Sequence, residues 1–406
     1  MLKFSARKNL IYYILLIVSI FVRKIILIIT DSFYPHTTAV FYPILMFVGE
    51  MLAGIILYKY QKYVTKKRLI KERLSLILTK KLKKSRIDKN WKIYFLLAMA
   101  GFFDYIEMYI SCLYIPRLDY ISKSLEDRLC GSLIIFSSLI YHYILKFSLL
   151  KHQKCSLIVV GICLFIIMSA EGLFEKDKIN MSVFKYILLI VLSYLEMFFI
   201  SMMDSIDKYL MEYNSFNPCL IIVFEGLFGT IYSAMSFFTK DIQIKMQLVI
   251  KVAKIRTLGL FIFLLFLIMV LSGFVNIYRV HTNKIYNPMT ESLAYYCLNP
   301  LFMIYDFAAG NDFINFGKRN YFHFFLNLIL CIVISVTGFV FNEFIVLFWC
   351  GLERDTYREI SRRSTLDEKE LELASIISED EKDEKDDKDE NDEDKKDKEN
   401  TVTFYV

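Results

Sequence analysis

The stretch "FYPILMFVGEMLAG" (41–54) is the most informative part of the sequence for the fold. It places a carboxylate within an apolar run of membrane-spanning length. The same pattern, F-x-P-x(6)-E-x-L-x-G, returns at "FNPCLIIVFEGLFG" (216–229), displaced by 175 positions (216 minus 41). Two of the six prolines in the chain hold the same place in both copies, which indicates an internal repeat. The carboxylates and glycines that correspond are Glu50 and Glu225, and Gly54 and Gly229.

The composition is that of an integral membrane protein. Of 406 residues, 56% are hydrophobic and 16% are aromatic, whereas soluble domains average roughly 45–50% apolar residues. Apolar runs of about 20 residues, long enough for a helix to cross a hydrocarbon core of ~30 Å, recur along the chain. We therefore predict an all-α protein with ten spans, of which the fourth and ninth are the least hydrophobic. The spans lie near 10–30, 38–60, 93–115, 121–146, 155–174, 182–203, 216–238, 257–279, 287–309 and 321–349.

The internal repeat relates the first five spans to the last five. Because five is an odd number, the second copy must enter the membrane in the opposite orientation, which gives two inverted five-helix repeats. We place the first repeat at 10–180 and the second at 181–350. In transporters built from such repeats, the substrate site lies near the membrane midplane between the halves.

The charge distribution predicts the orientation in the membrane. Lys and Arg concentrate at 61–91, between spans two and three, and by the positive-inside rule that loop is cytosolic. Ten spans then place the N-terminal residues 1–9 and the tail 351–406 in the cytosol as well. The basic group between Lys240 and Arg256 disagrees, because this topology places it on the opposite side.

The end of the chain has a composition of its own. Residues 378–400 contain 14 acidic and 6 basic side chains. Such a segment cannot bury an apolar core, so we expect the tail to be disordered from about 378 onward. It could be a solvated tail only, or it could bind a cytosolic partner.

Carboxylates inside the predicted spans are the first candidates for function. An acidic side chain at the centre of a membrane helix is unfavourable by roughly 2.5–3.5 kcal/mol on insertion scales, so it faces the protein interior or a water-filled cavity. Pro43 suits the first turn of a helix, which would put Glu50 about 10 Å further along the axis at 1.5 Å per residue. Glu50 and Glu225 could gate the pathway and exchange protons, or they could form only an interhelix hydrogen bond or ion pair.

Two further groups of polar residues join these acids. Asp104 and Glu107 share one face of span three, where they could also be a purely structural pair. Spans four and nine both open with polar residues, which fits helices that line a polar cavity, although Arg128 could instead be an interfacial charge that reaches the lipid headgroups. The complete set of pathway or gating candidates is Glu50, Gly54, Asp104, Glu107, Ser124, Arg128, Glu196, Glu225, Gly229, Glu291 and Asn299.

The sequence carries no catalytic or metal-binding signature. It contains no H-E-x-x-H, G-x-S-x-G or P-loop motif, and its five histidines show no metal-ligand spacing. The eight cysteines lack C-x-x-C spacing and are expected to be free thiols. We therefore expect no enzymatic activity, no cofactor, no metal and no nucleic-acid partner.

Four stretches carry a family resemblance: "FYPILMFVGEMLAG", "SKSLEDRLCGSLIIFSSLI", "KHQKCSLIVVGICLFIIMSAEGLF" and "NPCLIIVFEGLFG". Together with the order of the spans over roughly 10–350, they resemble the drug/metabolite transporter superfamily. Within it, the likeness is to the solute carrier 35 group, which includes nucleotide-sugar transporters, and is closest to its F subgroup. "EGLFG" and "GSLIIFSSL" are the more specific matches, and the remainder agrees mainly in pattern.

The resemblance implies ten helices in two inverted halves, solute exchange by alternating access, and residence in an endomembrane such as that of the Golgi, lysosome or another vesicle. It also implies arginines as partners for an anionic substrate, at two positions where this chain has Cys130 and Asn299. We therefore expect a secondary transporter for a small organic solute that is embedded in lipid and could form a homodimer. A channel- or receptor-like protein, and a trafficking or structural component with the same fold, are the alternatives.

Overall fold

The computed structural model is all-helical, with no strand in the residues that it describes. One compact unit, Phe4–Ile345, contains the described helices. The other unit consists of Met1–Lys3 and Val346–Val406, and Thr356 is its described residue. The acidic stretch 378–400 lies outside the described residues, so its disorder stays a prediction. The structure describes residues 6–75, 91–114, 128–146, 148–174, 183–286, 292–294, 296–309, 321–343, 345 and 356.

The described residues form eleven α-helices. A π-helical segment, Ile110–Tyr114, continues the third of them. In chain order the helices are α1 (Ala6–Phe33), α2 (Thr37–Ser75), α3 (Trp91–Tyr109), α4 (Ser132–Leu145), α5 (Lys151–Phe174), α6 (Val183–Tyr213), α7 (Pro218–Ser236), α8 (Lys240–Ile255), α9 (Leu258–Ile285), α10 (Asn299–Ala309) and α11 (Tyr321–Phe341).

Eight of the described helices are long and apolar enough to cross a membrane, namely α1, α2, α3, α5, α6, α7, α9 and α11. This confirms a multi-pass membrane protein. Helices α4 and α10 correspond to the predicted fourth and ninth spans and are shorter, with 14 and 11 residues. Pro300 lies in the first turn of α10, where its missing N–H is tolerated and where a new helix readily starts.

Several helices extend further than the apolar runs predicted. Helix α2 continues to Ser75, so the first half of the predicted basic loop at 61–91 is helical. Helices α6 and α9 reach Tyr213 and Ile285, beyond the predicted ends at 203 and 279. In α2 the added residues are rich in Lys, Arg, Glu and Leu, which are good helix formers, so a change of polarity does not end that helix. The basic group after α7 also forms a helix, α8.

The two prolines of the repeat have different positions. Pro218 is the first residue of α7, and Asn217 caps that helix by accepting a hydrogen bond from the Cys219 backbone N–H at 2.8 Å. Pro43 was expected in a first turn, but α2 begins earlier, at Thr37, and Pro43 lies inside the helix. That expectation was wrong because the residues before Pro43 continue the helix instead of capping it.

Glycines let α2 and α7 approach each other closely. A Cβ atom built on Gly226 of α7 would lie 2.5 Å from the Met51 backbone N of α2, and one on Gly54 would lie 2.8 Å from Val223 Cγ2. Gly229 of α7 packs on the Phe47 ring of α2. Later residues of α2 thus meet earlier residues of α7, so the two helices run antiparallel.

Helix α2 packs on α9 through a second pair of glycines. Gly273 of α9 approaches the Gly49 backbone O, to which a built Cβ would be 2.8 Å away, and Gly49 in turn lies against the Met269 backbone O. Small residues at such contacts allow backbones in a membrane protein to come together. The two glycine contacts hold α2 between α7 and α9.

Apolar clusters complete the packing inside the bundle. One cluster joins α4, α5, α6 and α11 through Ile134, Val160, Leu189 and Ile334. The outer faces carry large exposed hydrophobic side chains, such as Phe165. An apolar outer surface is expected where helices face lipid.

Candidate functional site

Arg279 of α9 is the centre of a buried charge cluster. Its Nη2 atom lies 2.8 Å from Glu225 Oε2 of α7 and 3.8 Å from Asp207 Oδ2 of α6. Its Nη1 atom lies 3.3 Å from Asp204 Oδ1, also of α6. All four side chains are buried. One guanidinium group therefore ties three helices together through three carboxylates.

Glu50 of α2 lies beside this centre without joining its ion pairs. It is 1% exposed, and it interacts electrostatically with Asp104, Arg279 and Glu225. Neither carboxylate oxygen of Glu50 has a hydrogen-bond partner among the described residues. A polar group buried in this way is strongly unfavourable unless a partner or a proton satisfies it.

Asp104 of α3 stands next to Glu50. It is buried, and it interacts electrostatically with Arg279, Glu225 and Asp204. Its Oδ2 atom accepts no hydrogen bond within the described part of the chain. Two neighbouring carboxylates, from α2 and α3, therefore lie near Arg279 in addition to its three ion-pair partners.

The cluster continues from Asp104 toward Arg23 of α1. Tyr42 of α2 interacts electrostatically with Arg23, Glu107 and Asp104, and the guanidinium carbon of Arg23 lies 5.8 Å from the centre of the Tyr42 ring. Arg23 thus lies at the α2–α3 side of the cluster, while Arg279 lies at the α6–α7 side.

Lys208 of α6 follows Asp207 in sequence, but its contacts are with backbone carbonyl groups at the end of α9 and with Glu212. Its Nζ donates to the backbone O atoms of Asn283 and Tyr286 at 2.8 and 2.9 Å, and it forms an ion pair with Glu212 at 3.0 Å. Basic side chains commonly satisfy the last carbonyl groups of a helix in this way. The Lys208 charge therefore stabilises the end of α9.

The balance of charge in the cluster is acidic. Among the described residues, the cluster contains six buried carboxylates and two guanidinium groups. Because charged groups are stable at this depth only when paired, the surplus carboxylates require protons or other positive charge. The carboxylates are those of Glu50, Asp104, Glu107, Asp204, Asp207 and Glu225, and the guanidinium groups are those of Arg23 and Arg279.

The structure brings several sequence-predicted residues together. Glu50, Asp104 and Glu225 meet around Arg279, and Glu107 lies one turn beyond Asp104. Glu196 is buried on α6, about two turns before the carboxylates of that helix. Ser124 and Glu291 lie outside the described residues.

The other predicted residues lie at helix contacts and helix starts. Gly54 and Gly229 form the α2–α7 contact and remove bulk there, although they touch Val223 and Phe47 and not the carboxylates. Arg128, just before α4, is buried. Asn299 is buried at the start of α10.

Sequence reasoning missed half of the cluster. Asp204, Asp207 and Arg279 stand at or beyond the predicted ends of spans six and eight, where charged residues are ordinary. A signal was present in their spacing, because Asp204 and Asp207 share a helix face, as do Asn276, Arg279 and Asn283. Asn283 uses that face to donate from Nδ2 to the Asp204 backbone O at 2.8 Å.

A serine group links the short helix α4 to the rest of the bundle. Ser137 Oγ lies 3.1 Å from Ser201 Oγ of α6 and 3.1 Å from Ser292 Oγ, in the segment before α10.

The seven described cysteines are free thiols. Among the described residues, no group of three or more His, Cys, Asp or Glu side chains could hold a metal ion.

Comparisons with known proteins inform the fold alone. No protein-family model and no curated protein matches the chain. A solved structure described as "Crystal structure of protein" is similar to it, with a TM-score of 0.50 and 11% sequence identity. The alignment covers 83% of this chain and 98% of that chain. The likeness therefore extends over most of the helical unit.

Proposed function

We propose that the protein is a secondary transporter that moves a small organic solute across an internal membrane by alternating access. The observation that carries the proposal is the buried charge cluster around Arg279, within helices of membrane-spanning length. Ionisable side chains at such positions mark solute or proton pathways in membrane proteins. A purely structural role would not require them, because apolar residues often replace a buried ion pair without loss of stability.

Two features support an arrangement as two inverted five-helix repeats. In both halves, three long helices are followed by a short one and a long one: α1 to α5, then α6, α7, α9, α10 and α11, with α8 as an insertion. The second helices of the halves, α2 and α7, also pack antiparallel through reciprocal glycine contacts. An antiparallel contact between equivalent helices is what an inverted repeat produces.

The cluster lies where these two halves would meet. Glu50 and Asp104 belong to the first half, whereas Arg279 and its three carboxylate partners belong to the second. If one half rocks against the other, Arg279 keeps its partners while Glu50 and Asp104 change their distance from it. A solute held between the halves would then face each side of the membrane in turn.

Counterflow in liposomes tests the transporter. Purified full-length protein is reconstituted, the liposomes are preloaded with one unlabelled solute, and uptake of the same labelled solute is followed for organic cations, nucleotide sugars and nucleobases. A transporter gives saturable uptake with a transient overshoot for at least one solute. Flux that neither saturates nor responds to preloading would show a channel.

The orientation and the location belong to the same proposal. We place both termini in the cytosol and the protein in an endomembrane. Protease added to the cytosolic side of sealed vesicles should cut the basic loop at 66–84 and the acidic tail, and should spare the loop at 311–320. If the tail is protected from the protease, the proposed orientation is wrong. If the tagged protein stains the plasma membrane, the proposed endomembrane location is wrong.

A further inference from the structure

We propose that helix α8 (Lys240–Ile255) lies at the membrane surface and binds the headgroups of anionic lipids. Its exposed lysines contact the lipid phosphates, and an apolar stripe beside them enters the edge of the hydrocarbon layer. This surface is separate from the charge cluster around Arg279, and the inference does not depend on transport. It comes from three observations: the position of α8 in the chain, the contact of one face with the bundle, and the composition of the opposite face.

The first observation is the position of α8 between two helices of membrane-spanning length. Helix α7 ends at Ser236 and α9 begins at Leu258, so the connections to α8 are residues 237–239 and 256–257. A chain spans at most about 3.6 Å per residue. Connections this short hold both ends of α8 at the membrane surface, on the side where α7 ends and α9 begins.

The second observation is that one face of α8 is bound to the bundle. Ile242 lies in an apolar cluster with Val40 of α2, and Val249 lies in another with Tyr34, between α1 and α2. The Tyr34 hydroxyl also donates to the Thr257 backbone O at 2.9 Å, which fixes the turn between α8 and α9. The opposite face of α8 is therefore held in a fixed direction, away from the bundle.

The third observation is the composition of that opposite face. Ile244, Leu248 and Ile255 are 58%, 49% and 74% exposed. Their spacing of i, i+4 and i+11 places them in one stripe on a helix with 3.6 residues per turn, nearly opposite the buried Ile242 and Val249. A surface helix buries such an apolar stripe at the boundary between lipid headgroups and acyl chains.

Basic side chains adjoin the apolar stripe. Lys240, Lys251 and Lys254 are exposed, and the first two lie beside Ile244 because they are four residues before it and seven after it. Between residues 240 and 256 the chain has five basic side chains and one acidic side chain. A lysine near an anionic membrane surface strengthens binding about fivefold. An acidic peptide could also pair with the lysines, but it would leave the apolar stripe exposed to water.

Photo-crosslinking of the full-length protein in phosphatidylcholine nanodiscs tests this surface. The nanodiscs contain a trace of photoactivatable phosphatidylserine or phosphatidylcholine, both with a diazirine near the carbonyl end of the same acyl chain. Peptide mass spectrometry counts the adducts on α8 and, as a reference for lipid contact, around the exposed Phe165 of α5. We expect phosphatidylserine to label α8 about fivefold more than phosphatidylcholine does, relative to Phe165. Both leaflets have the same composition, so the result does not depend on which side of the membrane α8 faces.

Two variants separate the charge of the lysines from their effect on folding. Changing Lys240, Lys251 and Lys254 together to Gln should abolish the excess of phosphatidylserine, whereas changing the same three residues to Arg should keep it. Both variants should melt like the wild type, because the three side chains are exposed. High salt should lower the excess in the wild type, because salt screens exposed charges.

Three results would overturn the inference. Equal labelling of α8 by the two lipids in the wild type would show that the surface does not select anionic headgroups. Absence of label on α8 from both lipids, with Phe165 labelled, would show that the apolar stripe faces water or a protein. An excess that persists in the Gln variant or at high salt would show that the lysines are not the binding groups.

Discussion

Glu50 and Glu225 occupy the same place in the sequence repeat, but they have opposite surroundings. Glu225 accepts a hydrogen bond from Arg279 Nη2 at 2.8 Å, whereas Glu50 has no such partner among the described residues. The difference arises on the next helices. The third helix of the second half, α9, supplies Arg279, and the third helix of the first half, α3, supplies Asp104. A symmetric sequence pattern therefore positions two acids in chemically different sites.

The two halves of the chain therefore differ in how their buried acids are paired. The second half holds the ion-pair group around Arg279, and the first half contributes Glu50, whose carboxylate has no hydrogen-bond partner among the described residues. Each prediction below tests whether the two acids differ in this way.

The largest effect is expected at Arg279. Arg279→Ala leaves Asp204, Asp207 and Glu225 buried without their cation, and removal of one partner of a buried ion pair typically destabilises by about 3–5 kcal/mol. Thermal unfolding of the detergent-purified protein should show a much lower melting temperature or loss of folded protein. Lys254→Ala, at an exposed position on α8, is the control and should melt like the wild type. Wild-type melting of Arg279→Ala would mean that the ion pairs do not hold the second half together.

The next largest change in stability is expected for neutral substitutions of the two repeat acids, Glu50 and Glu225. Glu225→Gln keeps the shape but loses a charge-assisted hydrogen bond, so it should destabilise the protein by roughly 1.5–3 kcal/mol. Glu50→Gln replaces a buried carboxyl group that has no hydrogen-bond partner among the described residues, so stability should stay within about 0.5 kcal/mol or rise. The free energy of unfolding in detergent is measured for both variants. Counterflow of the same preparations measures the loss of transport that we expect for Glu50→Gln. Equal losses of stability in both variants would contradict the asymmetry.

The glycine contact that brings the two acids together should show a smaller effect. Gly226→Ala places a Cβ 2.5 Å from the Met51 backbone N, and because backbone cannot move aside, α2 and α7 must separate at a cost of about 1–3 kcal/mol. Gly161→Ala on α5 is the matched control, because nothing lies within 4 Å of its Cβ position. There the better helix propensity of Ala should stabilise by up to about 1 kcal/mol. Similar melting of the two variants would show that the α2–α7 contact is loose.

Sequence alone predicted most of the described helices and three of the central acids, but not the pairing of these acids. Apolar runs located eight membrane-length helices, and Glu50, Asp104 and Glu225 stood out because acids are rare within such runs. Arg279 escaped notice because it ended an apolar run, where a basic residue commonly anchors a helix at the membrane surface. Its partner Glu225 is 54 positions away on another helix, and such a contact depends on helix packing that a single sequence does not contain.

The smallest expected effect is also the most specific, because it measures pairing directly. A double-mutant cycle combines Arg279→Gln with Glu225→Gln, and a second cycle combines it with Glu50→Gln. Residues in direct contact show interaction energies of about 0.5–3 kcal/mol, so the Arg279–Glu225 cycle should give a value about 1 kcal/mol larger than the Arg279–Glu50 cycle. Chemical denaturation in mixed detergent micelles gives the four free energies of unfolding that each cycle needs. If both cycles gave the same interaction energy, Arg279 would be shared equally between the acids. Glu50 would then be a second fixed partner of Arg279, and the two repeat acids would not differ in their pairing.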